Sequence, residues 1–401
     1  MRLAGLIYGA DRPPFEGAVV VEERSIVALE EGVRPGPDLF DLRPACLVPG
    51  FIDLHIHGGG GWRAGDAAPG ATAALSRFLA SQGTTAYFAS LVAMPVDQLE
   101  VAITVLADAM ETRSGSQGAP DGARLLGIHL EGPFLNPAKK GAMPADCFFL
   151  PDRELMDRWL ALGRGHVRQV TVAPELPGAL PLIRYLAEQG LVVTGGHTDA
   201  TYEESRAGID AGITVANHTF NAMRSLNHRS PGVVGAYLTD PRVSCELTSD
   251  FLHLHPAVIA LALAAKGLDR ATLISDAVNY SCMPPGDYAL GDYRVHVDEA
   301  GSCRLPDGTI AGSAYHQVVG VANLVRHLGL DLAEAVQLAS TNPARVAGVG
   351  HRKGRLLPGF DADVVALTPD FRVQQTLVEG AVVYRSGEAG SLLNPATTPV
   401  A

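Results

Sequence analysis

A repeated alternation constrains the fold of this 401-residue chain more than any other feature. Short apolar runs lie near 47–54, 84–89, 125–130, 168–173, 191–195, 213–217, 243–247 and 272–275. Helix-patterned segments separate them, among them 70–82, 96–112, 152–163, 178–189, 201–211 and 256–266. Strands that alternate with helices pair in parallel, because a parallel connection needs a crossover long enough to hold a helix. The runs are almost continuously apolar, which implies a sheet covered on both faces. Eight such units predict an α/β fold, a (β/α)8 barrel of the TIM type.

The two ends of the chain read differently. Gly17-Ala18-Val19-Val20-Val21 and Ser25-Ile26-Val27-Ala28-Leu29 look like short strands, as do Ala362–Leu367, Thr376–Val378 and Ala381–Tyr384. Both termini are therefore expected to build one small β-sandwich domain, 1–48 with 357–401, beside a barrel spanning 49–356. The stretch Ser114-Gly115-Ser116-Gln117-Gly118 reads as a loop. The N-terminal MRLAGLIYGADRPP reads as a strand, not a signal peptide. The longest charge-free apolar helical run, 257–265, is too short to cross a bilayer.

Composition narrows the partners. Hydrophobic residues make up 47% and charged residues 18%, the balance of a well-buried globular enzyme. A net charge of −12 argues against nucleic acid and anionic membranes, and leaves room for a small anionic substrate. The five cysteines, Cys46, Cys147, Cys245, Cys282 and Cys303, are odd in number and never spaced Cys-x-x-Cys. They read as reduced packing residues of a cytoplasmic protein.

In such a barrel the catalytic groups sit at the C-terminal ends of the strands. Past the first run come His55 and His57, then four glycines. Two histidines one residue apart on a strand share a face and make half of a metal site. The third run ends in Glu131, the fifth in His197, the sixth in His218 and the eighth in Asp276. Each has an ordinary alternative: a helix-starting acid for Glu131, an exposed loop residue for His197, a helix cap for Asp276. Together, six metal-type side chains fall at one end of one barrel. Nitrogen and carboxylate donors without cysteine suit zinc, iron or manganese, and such an ion points to hydrolysis. Asp276 is then the candidate to accept a proton from water and return it.

Longer motifs add to this. They are PGFIDLHIHG (49–58), GIHLEGPFLNPAKKGA (127–142), VAPE (172–175), GGHTDA (195–200), NHTFNAM (217–223), HRSPGVVGA (228–236), SDFLHLHP (249–256), LISDA (273–277) and AGS (311–313). Through them the chain resembles, almost end to end, the N-acetylglucosamine-6-phosphate deacetylases of the amidohydrolase superfamily. The resemblance implies that Glu131, His197 and His218 hold a principal divalent ion. His55 and His57, with Glu131 as a bridge, would hold a second, zinc being the expected metal and iron or manganese the alternatives. It implies that Asp276 is the general base and then the acid. Asn221, the Ala222 amide and His253 would bind the sugar phosphate, with Ala142 and Met143 also at the substrate. Arg229 would reach the neighbouring site of a homodimer. The implied reaction splits the acetamide of an N-acetyl amino-sugar 6-phosphate, the glucosamine isomer first. The galactosamine isomer, or a related N-acyl or cyclic amide, is the alternative.

Three positions depart from the family pattern. Met143 stands where a histidine is usual after Lys-Gly-Ala, and a thioether cannot donate to an acetyl carbonyl. Phe251 stands where glycine is common and is expected to reshape the pocket. Tyr315 and His316 replace small or aliphatic residues and have no expected role.

Overall fold

The computed structural model describes the chain except residues 10, 116–118, 291–292, 300, 389–391, 398 and 400–401. Eight parallel strands pair in chain order: Phe51–Ile56, Thr84–Val92, Arg124–Glu131, Val167–Val172, Val192–Gly195, Ile213–Ala216, Ser244–Thr248 and Ala271–Ile274. The last meets the first just beyond its end, where Asp276 N–H donates to the His55 carbonyl at 3.0 Å and His57 N–H to Ala277 at 2.8 Å. The sheet thus closes into the expected barrel.

Its outer ring includes Ala71–Ser81, Val96–Gly115, Arg153–Gly163, Ala179–Glu188, Tyr202–Ala211 and Pro256–Lys266. Their starts are set locally. The Asp152 side chain accepts from Leu155 N–H, and Thr201 with Glu204 forms a reciprocal capping box. Leu182, Ile183 and Leu186 recur at helical spacing and bury one face of the fourth of these helices against the barrel. The second helix runs through Ser114 and Gly115, so the expected loop begins later. Its remaining residues, 116–118, lie outside those described.

Inward-facing positions of the barrel are polar. Asp53, His55, His129, Glu131, Gln169, Thr171, Glu246 and Thr248 are all buried. Their alternation with apolar residues is hidden in the sequence, because both faces of each strand are covered.

Two features differ from expectation. The run 47–54 is two strands: Leu39–Pro49 and the first barrel strand, Phe51–Ile56. They part at Gly50, where a Cβ would lie 2.1 Å from Thr85 Oγ1. The second difference is an antiparallel sheet after the eighth strand: Gly286–Leu290, Tyr293–Val297, Ser302–Arg304 and Ile310–Ser313. Its strands are short, and it carries its own small core around Tyr280, Tyr288, Val295 and Cys303.

The termini form a separate seven-stranded sheet. Arg2–Ile7, Phe15–Glu22, Ser25–Glu31 and Leu39–Pro49 come from the N-terminal side, and Val364–Leu367, Val373–Val378 and Ala381–Arg385 from the C-terminal side. Val365 pairs with Val48, joining the two halves. The chain after this sheet returns to the barrel mouth, where Leu392 accepts from the Trp62 indole at 3.0 Å and Asn394 N–H donates to Gly60.

Candidate active site

The strand ends of the barrel open into a cavity of about 650 Å³. His57, Glu131, His197, His218, Asp276, Asn221, Ala222, His253, Ala142 and Met143 all line it. His55 lies beneath, fully buried. Of the residues singled out from sequence, Arg229 is the exception: it is exposed on a loop and does not line this chain's cavity.

Backbone geometry explains how loop residues reach inward. His197, His218, Ala222 and Asp276 all have positive φ, at 46°, 24°, 50° and 52°. Side-chain-bearing residues rarely adopt this region, and such strain gathers where surrounding structure enforces it. Here the chain turns sharply just past the fifth, sixth and eighth strands, which aims His197, His218 and Asp276 over the mouth.

The donors converge on Glu131. His218 Nε2 lies 2.9 Å from Glu131 Oε1, His55 Nε2 at 3.2 Å and His197 Nε2 at 3.4 Å, while His57 Nε2 lies 3.4 Å from Oε2. Two triads result, His55–His57–Glu131 and Glu131–His197–His218, with the carboxylate in common. Asp276 Oδ1 lies 3.3 Å from His57 Nε2 and 3.7 Å from His55 Nε2.

Hydrogen bonds behind the rings set which nitrogens face the centre. His57 Nδ1 faces the Ser90 carbonyl at 3.1 Å and His197 Nδ1 the Lys139 carbonyl at 2.8 Å. A carbonyl only accepts, so these Nδ1 atoms carry protons and the Nε2 atoms of the neutral rings carry lone pairs. Yet His55 and His57 Nε2 are 3.2 Å apart, and those of His197 and His218 2.9 Å. Lone pairs and a carboxylate so crowded repel unless positive charge lies among them. Tetrahedral arms of 2.0–2.1 Å would set donors about 3.3–3.4 Å apart, close to these spacings. The donor set fits a divalent cation.

The same demand for positive charge shows in the basicities. Burial opposes a charged His55, but Glu131 and the hydrogen bonds to Glu131 and Glu246 raise it well above its ordinary value. Burial likewise opposes an ionised Glu131, and the surrounding imidazoles nevertheless hold it well below the usual carboxylate range. Asp276 is lowered against burial by His57, His55 and His218.

The amidohydrolase family profile matches residues 46–383. The chain belongs to the amidohydrolase family. Among its relatives, an N-acetylglucosamine-6-phosphate deacetylase of Vibrio furnissii is 38% identical over 92% of this chain and 91% of its own length. An N-acetylgalactosamine-6-phosphate deacetylase of Escherichia coli O157:H7 is 38% identical over 83% of this chain and 86% of its own. The crystal structure of an N-acetyl-D-glucosamine-6-phosphate deacetylase from Mycobacterium smegmatis superposes with a TM-score of 0.88. It is 35% identical and covers 96% of this chain and 100% of that one.

Several polar groups of this amidohydrolase site were not singled out from sequence. His129 lies under the donors, bridging Ser90 Oγ at 2.9 Å and Thr171 Oγ1 at 2.8 Å, and burial, with His55 close by, pushes it well below its ordinary value. Asn217 donates to Glu131 Oε1 at 2.9 Å. Glu246 meets His55 from behind at 3.2 Å. Only the motif neighbours of His129 and Asn217 hinted at a role, and nothing marked Glu246. Asp250 accepts from His253 Nδ1 at 2.7 Å, and His253 Nε2 then lies 3.8 Å from Asp276 Oδ2. His253 therefore borders the general-base candidate as well as the cavity.

Phe251 differs from expectation, and His316 finds a packing role. Phe251 does not line the cavity: it packs on the barrel exterior, its ring edge-on to His327 with centroids 5.5 Å apart. His316 is buried, bonded through Nε2 to Ser281 Oγ at 2.8 Å and edge-on to Phe78, so it packs behind Gly59. Met143 does line the cavity, within an apolar patch with Ala93, Leu135 and Cys147.

Proposed function

We propose that this amidohydrolase removes the acetyl group from N-acetylglucosamine 6-phosphate, yielding acetate and glucosamine 6-phosphate. The observation that carries this reading is the convergence of four imidazole nitrogens and Glu131 beside Asp276, at the base of a cavity of substrate size. The kinship with sugar-phosphate deacetylases supplies the substrate class.

Glu131, His197 and His218 would hold the principal ion, and His55 with His57 a second that shares Glu131. Zinc is the expected metal. Once bound, a divalent ion supplies Lewis acidity toward the acetyl carbonyl and toward attacking water. Asp276 takes a proton from that water as its oxygen bonds to the acetyl carbon. It then delivers the proton to the amide nitrogen as the carbon–nitrogen bond breaks. Water thus ends as the hydroxyl of acetic acid and a hydrogen of the free amine. Asp250 fixes the His253 ring, whose Nε2 comes to 3.8 Å from the Asp276 carboxylate. Asn221, Ala222 and His253, which all line the cavity, would offer polar contacts to the sugar phosphate. The patch around Met143 encloses the acyl side.

Arg229 is assigned to the phosphate of a partner's site in a homodimer. Its exposure, away from its own cavity, suits that role, and a guanidinium suits phosphate through paired donors. Among the described residues no helix is long and apolar enough to cross a membrane, and the cysteines are free. We place the enzyme in the cytoplasm.

Acetate release from N-acetylated hexosamine 6-phosphates, with metal content measured on the same preparation, tests the proposal. Turnover on N-acetylglucosamine 6-phosphate that exceeds turnover on the unphosphorylated sugar and disappears with chelation supports it. Equal rates on both sugars would overturn the substrate. Faster turnover of the galactosamine isomer would favour the second reading, which rests on the 38% identity to that deacetylase.

A further inference from the structure

Glu246 lies mid-way along the seventh barrel strand, Ser244–Thr248, and is fully buried. Its neighbours Cys245 and Leu247 face the outer core, so alternation turns Glu246 into the barrel. A buried carboxylate is costly unless its oxygens are hydrogen-bonded. Those bonds are unusually placed. Oε2 faces His55 Nδ1 at 3.2 Å and accepts the His218 backbone N–H at 3.1 Å, while Oε1 accepts from Gln169 Nε2 at 3.3 Å. One oxygen therefore touches one donor residue from each of the two triads.

We infer that Glu246 is a positioning residue that makes the two triads one unit. It holds the His55 proton on Nδ1, so that Nε2 presents a lone pair toward Glu131. Among the described residues no other acceptor does this for His55, whereas backbone carbonyls do so for His57 and His197. It also ties down the backbone of His218, whose φ of 24° lies in the region side-chain-bearing residues rarely adopt. The Glu246 backbone carbonyl adds a bond to Thr219 N–H at 2.9 Å, pinning the residue that follows. Glu246 does not line the cavity, so it acts through the histidines. The inference rests on the reading that the histidine–glutamate cluster holds a divalent ion.

The test compares metal-free wild type and Glu246→Gln by zinc titration calorimetry and by thermal unfolding before and after loading. Glutamine keeps the shape and removes the charge. Loss of such an outer partner typically weakens metal binding by about 10–100-fold. The expected result is that loss in zinc affinity, most at the weaker of any two sites, with the unfolding midpoint of the metal-free protein unchanged or raised. Unchanged zinc affinity would overturn the inference. So would an equal fall in midpoint with and without zinc, which marks a structural role alone. If wild type itself binds no zinc, the metal reading fails and this inference with it. Should Glu246→Gln not fold, 15N-histidine NMR of zinc-loaded wild type decides, with His55 assigned by His55→Gln. A proton on His55 Nδ1 supports the inference, and a proton on Nε2 overturns it.

Discussion

Asp276 has no role that packing alone would require. It sits at a left-handed φ of 52°, its backbone stitched to His55 and to Ser313, and its carboxylate faces His57 and His253. Asp276→Asn preserves size and removes the proton-accepting charge. Turnover should fall by about 10²–10⁴, the usual worth of a general acid–base group, while metal content and unfolding midpoint stay near wild type. Near-normal turnover would remove Asp276 from the reaction. Met143 poses the opposite question, since the resemblance leads one to expect a histidine donor there. Met143→His should raise kcat/KM on N-acetylglucosamine 6-phosphate, by up to about 10² if an oxyanion-type donor is restored. An unchanged or lower rate would point to a different acyl group or sugar.

At the scale of elements, the strands and helices of the barrel were legible because buried parallel strands are apolar runs and their helices carry caps and a 3.6-residue period. Glu131, His197, His218 and Asp276 were legible because each ends such a run. The polar floor was not: Glu246 in Ser-Cys-Glu-Leu-Thr reads as an ordinary strand residue, since nothing in one strand shows which histidine faces it across the barrel. The sheet from Gly286 to Ser313 was missed for a related reason. Its strands are short, and its partners lie within itself rather than in the barrel. It still shapes the site, because Thr309–Gly312 line the cavity. Its last strand grips the turn that carries Asp276: Ser313 N–H donates to Asp276 at 2.8 Å, and Val278 N–H to Ser313 at 3.1 Å. Gly312 has φ +88°, and a Cβ there would lie 2.4 Å from Val278 Cγ1 and 3.0 Å from the Asp276 carbonyl. Gly312→Ala should cost about 1–3 kcal/mol of stability and lower kcat more than it raises KM, because it displaces Asp276 rather than the sugar contacts. Thermal unfolding and steady-state kinetics check this. A variant with wild-type midpoint and kcat would show that the grip is slack.

At the scale of the whole molecule, charge joins the barrel to the terminal sheet. Lys353 is fully buried, with Nζ 2.7 Å from Asp363, 2.8 Å from Asp361 and 3.4 Å from Glu379. Arg124, on the third barrel strand, reaches Glu379 at 2.7 Å. Burial opposes ionisation of Glu379, yet the Arg124 hydrogen bond and the Lys353 charge bring it down to about 2 from an ordinary 4.5. A carboxylate lowered on folding adds stability above its unfolded value, and that stability is lost as pH falls through the folded value. Arg124→Met lifts Glu379 back toward its ordinary range. In urea unfolding of the metal-free proteins, the wild-type advantage should be full at pH 6 and shrink as pH falls from about 4.5 toward 2. A gap that holds constant or widens would exclude this linkage.

Assembly supplies the last test, because Arg229 lies outside its own cavity. If it completes a partner's phosphate site, the residues of one working site come from two chains. Arg229→Ala should then raise KM for phosphorylated sugars far more than for unphosphorylated ones. A homodimer carrying Arg229→Ala on both chains lacks the guanidinium at both sites, and one carrying Asp276→Asn lacks the base at both. A mixed dimer pairs an intact Asp276 with an intact Arg229 at one of its two sites. Unfolding and refolding the two variants together, one to one, makes half the dimers mixed. Activity at subsaturating substrate should then recover to roughly a quarter of wild type, since closed two-fold symmetry exchanges equivalent patches. Recovery no greater than the sum of the separate variants would mean that Arg229 serves its own chain or none. A monomer by sedimentation in the presence of substrate would likewise rule out a phosphate site shared between two chains.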